Sequence, residues 1–258
     1  MLSIAGSDSG GGAGIQADIK TIAALGGYAA TAITALTAQD TTAVHAVLPV
    51  PPGFVRRQIL AVLGDIGADA VKTGMLGDAA TVAAVADALD EAGCTALLVV
   101  DPVMVATSGA RLLAPDAVAA LKARLLPRAA LLTPNLPEAE ALCGFPVRDP
   151  AEMARAAAAL LSAGAAAVLV KGGHLEGRTV TDLLATPAGA EAFSGPRILS
   201  AGTHGTGCTL ASAVATGLAQ GMGLREAVLR ARAYVRAAIA AAPGYGAGNG
   251  PLGHDARV

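Results

Sequence analysis

Short apolar runs of four to six residues recur along this chain, separated by Ala- and Leu-rich stretches of helical period, and most runs give way at once to Gly and polar residues. Runs this short and apolar suit strands buried on both faces, and their alternation with helices implies βα units and a mostly parallel sheet. The pattern predicts strands at Leu2–Ala5, Ala29–Leu36, Ala68–Thr73, Ala96–Val100, Ala130–Thr133, Ala166–Val170 and Val180–Ala185. It predicts helices at Ile15–Leu25, Gly53–Leu63, Ala80–Ala92, Pro115–Leu126, Leu136–Leu142, Ala151–Ala163, Thr206–Gln220 and Leu224–Ala241. Pro115 before Asp116 suits a first helical turn, and Asp149 before Pro150 suits an N-cap. The Gly- and Pro-rich tail from Pro243 to Gly253 reads as irregular.

No composition break or linker divides the 258 residues, so one domain over 1–258 is expected. A hydrophobic fraction of 53% and a mean hydropathy of +0.56 raise the question of a membrane span. The longest apolar run, Ala156–Val170, is interrupted by Ser162 and Gly164 and falls short of the ~20 residues a span needs. The start, MLSIAGSDSG, lacks the basic segment and apolar run of a signal peptide, so a cytoplasmic location is expected. A net charge of −2 offers no footprint for nucleic acid or an acidic membrane surface; a small neutral or anionic ligand fits better. Cys94, Cys143 and Cys208 are odd in number and widely spaced, which suggests neither a disulfide framework nor a zinc site. With no Trp, three Tyr and three Phe, the core must be built from small aliphatic side chains.

In an open α/β sheet, ligands bind outside the carboxyl ends of the strands. The polar clusters there are GSDSGGGAG (6–14), AQD (38–40), KTGML (72–76), DPVM (101–104), TPNLPEAE (133–140) and KGGH (171–174), and THGTGCT (203–209) opens a helix. Gly205 and Gly207 at that helix mouth make an anion hole of backbone N–H groups suited to phosphate. Cys208 falls in the first turn, where the dipole favours a thiolate; an inert packed thiol is the alternative. GSDSGGGAG matches neither GxGxxG nor the Walker pattern, so neither nucleotide loop is assigned to it. Its glycines imply bent backbone or close approach to a ligand. Asp18 in the following helix reads as a solvated charge more readily than as a site residue. Asp101, Asn135 and Glu138 are oxygen donors that with phosphate oxygens would suit magnesium, while Glu138 also suits a first-turn helix acid. Lys171 and Lys72 each follow or end an apolar strand, either to meet phosphate or as surface charges. His45, His174, His204 and His254 share no ligand spacing and read as loop or surface residues.

Taken in order, AGSDSGGGAGIQADIKT, TALTAQDT, VKTGML, DPVMVATSG, LLTPNLPEAEAL, VLVKGGH and HGTGCTLASA resemble the hydroxymethylpyrimidine/phosphomethylpyrimidine kinases of thiamine biosynthesis, members of the ribokinase-like superfamily. The resemblance spans Ser3 to Arg236. It implies a three-layer α/β/α ribokinase-like fold, ATP as phosphoryl donor, Mg2+, and phosphorylation of hydroxymethylpyrimidine to its monophosphate and then its diphosphate. It places the pyrimidine near Gly6, Asp18, Gln39, Met75 and Val103, with the Gln39 amide reading the aminopyrimidine edge. It gives Cys208 the position of the Asp base of sugar kinases, Gly205 and Gly207 the transferring phosphoryl, and Lys171, with Thr206 and Asn135, the ATP. Asp101 and Glu138 would organise the magnesium. A homodimer is expected on the same grounds, together with high apolar content. A pyridoxal or pyridoxine kinase of the same Cys-containing type is the alternative, and a ligand-binding protein without turnover is a third reading. The sequence departs from the family at Asp40, where an Asn is usual, at Thr107, where many relatives carry Lys, and in the tail GPLGHDARV.

Overall fold

In the computed structural model, which describes residues 1–106, 109–110 and 112–257, the apolar runs line up in one nine-stranded sheet. The strands are β1 (Leu2–Asp8), β2 (Ala30–Gln39), β3 (Val44–Pro49), β4 (Ala70–Thr73), β5 (Leu97–Val100), β6 (Ala129–Leu132), β7 (Val168–Val170), β8 (Thr179–Thr186) and β9 (Gly189–Pro196). The helices are α1 (Gly14–Ala24), α2 (Pro52–Asp65), α3 (Ala79–Glu91), α4 (Pro115–Arg124), α5 (Leu136–Cys143), α6 (Pro150–Ser162), α7 (Thr206–Ala219) and α8 (Leu224–Ala240). The sheet order is β3-β2-β1-β4-β5-β6-β7-β8-β9, parallel from β2 to β7 and antiparallel at both edges.

Sequence periodicity finds the parallel centre and misses β3 and β9. Both lie at an edge and are largely exposed, so neither carries a continuous apolar signal, and β9 begins with Gly and ends with Pro. The expected helix-start devices are present: Asp149 accepts the Glu152 N–H at 2.8 Å with Pro150 next to it, and Pro115 begins α4.

Alternate residues of the central strands face two separate cores. Leu98, Val100, Leu132, Val168 and Val170 pack with α2 to α6, whereas Val99, Leu131 and Leu169 pack with α1, α7 and α8. The fold is therefore the expected three-layer α/β/α arrangement with a mostly parallel sheet. Small residues let the second layer sit close. The α7 residues Thr209–Gly217 are all buried, and a methyl on Gly217 would stand 2.9 Å from the Ala227 Cβ.

Chain order reverses beside β1, which leads out to β2 and β3 before the chain returns to β4 on its other side. A crevice forms at such a switch point. The ladder continues past the strand ends: the N–H groups of Gly74, Asp101, Thr133 and Lys171 donate to Ile4, Thr73, Val100 and Pro134 carbonyls at 2.8–3.0 Å. Each polar residue that follows a strand is thus fixed by its neighbour's backbone.

Candidate active site

A cavity of about 770 Å³ runs along this carboxyl edge. Gly6, Gln39, Met75 and Val103 line one end, and Asn135, Glu138, Lys171, Thr206, Gly207 and Cys208 line the middle. At the far end, α8 and the β8–β9 region supply Asp182, Arg232, Val235 and Ile239.

The first end is built by the glycine-rich loop after β1. Asp8 folds that loop over itself, accepting the N–H groups of Gly10, Gly12 and Ala13 at 2.8–3.0 Å and His204 Nε2 at 2.8 Å. Burial alone would raise the Asp8 pKa, but the His204 hydrogen bond and the Ala13 and Gly10 amides outweigh it and hold the carboxyl below its usual value. The loop then meets the turn before α7 at van der Waals limits. A Cβ on Gly205, whose φ is +83°, would fall 1.9 Å from the Gly12 carbonyl oxygen, and one on Gly12 would fall 2.5 Å from the His204 ring. Gly6 leaves room for the Met75 thioether, which would lie 3.3 Å from an added Cβ. The Gln39 amide stands between His204 Nε2 at 3.2 Å and Thr37 Oγ1 at 3.3 Å.

In the middle, Lys171 Nζ donates to Asp101 Oδ1 at 2.8 Å and lies 3.8 Å from Glu138 Oε2. Asp101 also accepts from Thr133 Oγ1 at 3.0 Å. Asn135 and Glu138 form a reciprocal capping box at the start of α5, which fixes both at the cavity wall. Burial opposes the Lys171 charge, but Asp101 and Glu138 more than compensate, so its pKa is raised. One ammonium serves two buried carboxylates. Burial, with Asp101 adding to it, accordingly pushes Glu138 up to about 7 even though Lys171 pulls it down. Among the described residues no three His, Cys, Asp or Glu gather as a self-sufficient metal site. A carboxylate pair short of positive charge fits magnesium instead, which takes one or two carboxylates and completes its shell with waters and phosphate oxygens.

Cys208 lies in the first turn of α7, but a dipole-lowered thiolate is not what the structure gives. Burial pushes the thiol up to about 11, against the pull of Lys72 and of the Gly14 amide, and Asp18 and Asp101 add to the rise. The thiol is protonated at neutral pH. A Cβ on Gly207 would stand 3.2 Å from Lys171 Nζ, so the lysine hangs directly over the N-terminus of α7.

Asp18 is neither a solvated charge nor a cavity residue. It is fully buried, accepts Lys72 Nζ at 3.0 Å on both oxygens, and is bonded by Ser3 and Ser212 hydroxyls at 2.6 and 2.7 Å. Lys72 is likewise sealed: burial would lower its pKa, yet Asp18, Cys208 and Asp101 raise it. Asp40 points away from the cavity and caps the β2–β3 turn through Thr42, Ala43 and His45, which hold its carboxyl well below its usual range. Thr107 lies outside the described residues. His204 and His254 are buried, not surface residues, because the tail closes over them. Tyr234 donates to the His254 carbonyl at 2.6 Å, Thr209 Oγ1 and His254 Nε2 are 3.0 Å apart, and the His204 N–H donates to Gly250 at 3.1 Å. The irregular tail is therefore packed against the turn that presents Cys208.

Sequence reasoning overlooked Asp8, Asp182 and Arg232. An Asp followed within two residues by a glycine run is a legible loop-capping signal. Asp182 interrupts the apolar strand TVTDLLAT and pairs with Arg232 while accepting the Gly172 N–H at 2.9 Å, a pairing across elements that no local pattern announces.

A solved ADP complex of Bacillus subtilis pyridoxal kinase superposes with a TM-score of 0.92 at 37% identity, covering 99% of this chain and 97% of that one. Fold and cleft thus define the class as a small-molecule kinase of ribokinase-like fold. The profile of the phosphomethylpyrimidine kinase family matches residues 8–253, and the chain belongs to that family. It is 54% identical over 256 residues to the hydroxymethylpyrimidine/phosphomethylpyrimidine kinase of Rhizobium meliloti, covering 98% of this chain and 96% of that one. It is 53% identical to the thiamine biosynthesis bifunctional protein ThiED of Geobacter sulfurreducens, covering 98% of this chain but about half, 52%, of that longer protein. No helix among the described residues is long and apolar enough to cross a membrane.

Proposed function

We propose that residues 1–258 form one kinase unit that uses ATP to phosphorylate 4-amino-5-hydroxymethyl-2-methylpyrimidine and then its monophosphate, in thiamine biosynthesis. The observation that carries this reading is a single cavity joining a heterocycle-sized end, at Gly6, Gln39, Met75 and Val103, to a phosphate-suited centre at Lys171 and the start of α7. A Gln amide offers both a donor and an acceptor to an aminopyrimidine edge, and Met75 and Val103 supply apolar faces. Asp18 enters this scheme as support for α1 and β4 instead of as a substrate contact.

Phosphoryl transfer through a loose transition state demands positioning and charge stabilisation more than a strong base. The backbone N–H groups of Gly205, Thr206 and Gly207 and the Lys171 ammonium would stabilise charge on the transferring group. Cys208 would give up its own proton to a phosphate oxygen or solvent as substrate and ATP bind, and the thiolate, held between the charges of Lys72 and Lys171, would accept the hydroxymethyl proton late in the transfer. Asp101 and Glu138 would hold magnesium, with Asn135 orienting Glu138; the ion would neutralise phosphate charge. The end formed by Val235, Ile239 and the Asp182–Arg232 pair would take the nucleotide base and sugar.

The test is magnesium-dependent ATP consumption with hydroxymethylpyrimidine, its monophosphate, pyridoxal and ribose in parallel. Turnover of the first two is expected. Turnover of pyridoxal alone would favour the second reading, a pyridoxal kinase, which the close superposition on the Bacillus subtilis enzyme motivates. Exposed Leu36, Val47, Leu48 and Phe54 on β2, β3 and α2 support a homodimer, and a monomer mass by light scattering would reject it.

A further inference from the structure

The Gln39 amide has two orientations of nearly identical shape, and the proton count around it distinguishes them. Asp8 is ionised and already accepts three backbone N–H groups, so the His204 Nε2 atom at 2.8 Å from Asp8 Oδ2 must carry a proton and donate it. A protonated Nε2 has no lone pair left. With the amide nitrogen turned to His204, 3.2 Å away, two N–H groups would face each other. On the other side, Thr37 Oγ1 gives its hydrogen to the Ser7 carbonyl at 3.0 Å and meets the Gln39 amide at 3.3 Å with a lone pair, which an amide oxygen cannot satisfy. Both neighbours ask for the reverse orientation, with oxygen toward His204 and NH₂ toward Thr37.

We infer that Asp8, His204 and Thr37 are positioning residues that lock the Gln39 amide in this single orientation and thereby set substrate specificity. An amide has two donor hydrogens and two acceptor lone pairs. Thr37 takes one donor, and the single His204 Nε2–H, shared between Asp8 at 2.8 Å and the amide oxygen at 3.2 Å, takes one lone pair, leaving one donor and one acceptor facing the cavity in a fixed order. A 4-aminopyrimidine, with an amino donor beside a ring-nitrogen acceptor, matches that order. Its 4-oxo counterpart presents a carbonyl acceptor beside a ring N–H, the reverse order, and a free amide would flip to accept it. The lock turns a residue able to serve both into one that rejects the deaminated ring. This inference rests on the pyrimidine reading above for its substrate, though not for the lock itself.

Two measurements separate these parts. In the free protein, ¹⁵N NMR of the imidazoles should show His204 Nε2 protonated at pH 7.5; an unprotonated Nε2 there would overturn the lock whatever the substrate is. For specificity, kcat and KM are measured with the 4-amino substrate and its 4-oxo analogue for wild type, His204→Leu, His204→Gln and Thr37→Val. His204→Leu should lower the amino-over-oxo preference about tenfold, chiefly through KM, the size of one oriented hydrogen bond. His204→Gln, which keeps a donor, should restore most of it. Thr37→Val, which keeps the side-chain shape on β2 and removes only the hydroxyl, should lower it by a smaller factor and guards against a folding failure in the His204 variants. Equal losses on both substrates, with the preference unchanged in His204→Leu and Thr37→Val, would reduce these residues to scaffold and overturn the specificity claim. A wild type inactive on either pyrimidine would instead sink the substrate reading and leave the NMR result to stand or fall alone.

Discussion

Two lysines at the carboxyl edge of the sheet, Lys72 on β4 and Lys171 just past β7, begin from the same sequence context and end in opposite environments. Lys72 and Asp18 have no exposed side-chain surface, and every oxygen of the pair is engaged by Ser3, Ser212 or the ammonium itself. Lys171 retains 12% exposure, holds Asp101 closely and Glu138 loosely, and faces the cavity. A buried pair whose partners are all satisfied is structural, and breaking it on one side is expensive. A pair whose ammonium holds a second carboxylate only loosely, and which is open to ligand, can change partners. The difference arises from what lies above each strand end: α1 and α7 close over Lys72, whereas Lys171, beside the N-terminus of α7, stays open to the cavity.

Removing the groups one at a time tests this contrast. The largest expected effect falls on chemistry. Cys208→Ala should lose roughly 10²–10⁴-fold in kcat with ATP affinity largely kept, the range for a proton-transfer group; a near-normal rate would make the thiol a packing residue. Lys171→Met should lower kcat/KM by about 10²–10³-fold while the melting temperature changes little. Lys72→Met should act first on stability, destabilising the fold by about 3–5 kcal/mol in denaturant titration because Asp18 is left charged and buried. Adding Asp18→Asn to Lys72→Met should recover much of that loss. If Lys171→Met is the more damaging to stability, the distinction between the two lysines fails.

Glu138 sharpens the contrast through pH. Its folded pKa, near 7, is raised above the unfolded value, so the native state binds the proton more tightly than the unfolded chain does. Stability is therefore greatest below the unfolded pKa and declines as pH rises toward 7. Glu138→Gln should flatten this decline, which is on the order of 3 kcal/mol for a shift of that size, in unfolding curves collected from pH 5 to 8. Magnesium should bind more tightly as pH rises through 7. The smallest expected effect is at Asp40: Asp40→Asn should leave both KM values within about twofold, since its carboxylate caps a turn outside the cavity.

Much of the fold could be read locally. Apolar runs buried on both faces announce their own secondary structure, and Pro115 and Asp149 mark helix starts with no help from distant residues. The polar residues after each parallel strand could also be read as one site, because parallel strands carry their carboxyl ends to the same edge. Edge strands β3 and β9 were not legible, since a strand half exposed to solvent needs no continuous apolar run.

For the site, the sequence determined which groups arrive at the edge: Gln39, Asp101, Asn135, Glu138, Lys171 and the glycine turn that presents Cys208. Tertiary structure alone decided the state in which they arrive. Desolvation and charge pairing depend on distant neighbours, so only the fold could make Lys72 a sealed counter-ion and Lys171 an open one. For the same reason it keeps Cys208 protonated, brings Asp8 to His204 across 196 positions of sequence, and sets the Gln39 amide between them and Thr37.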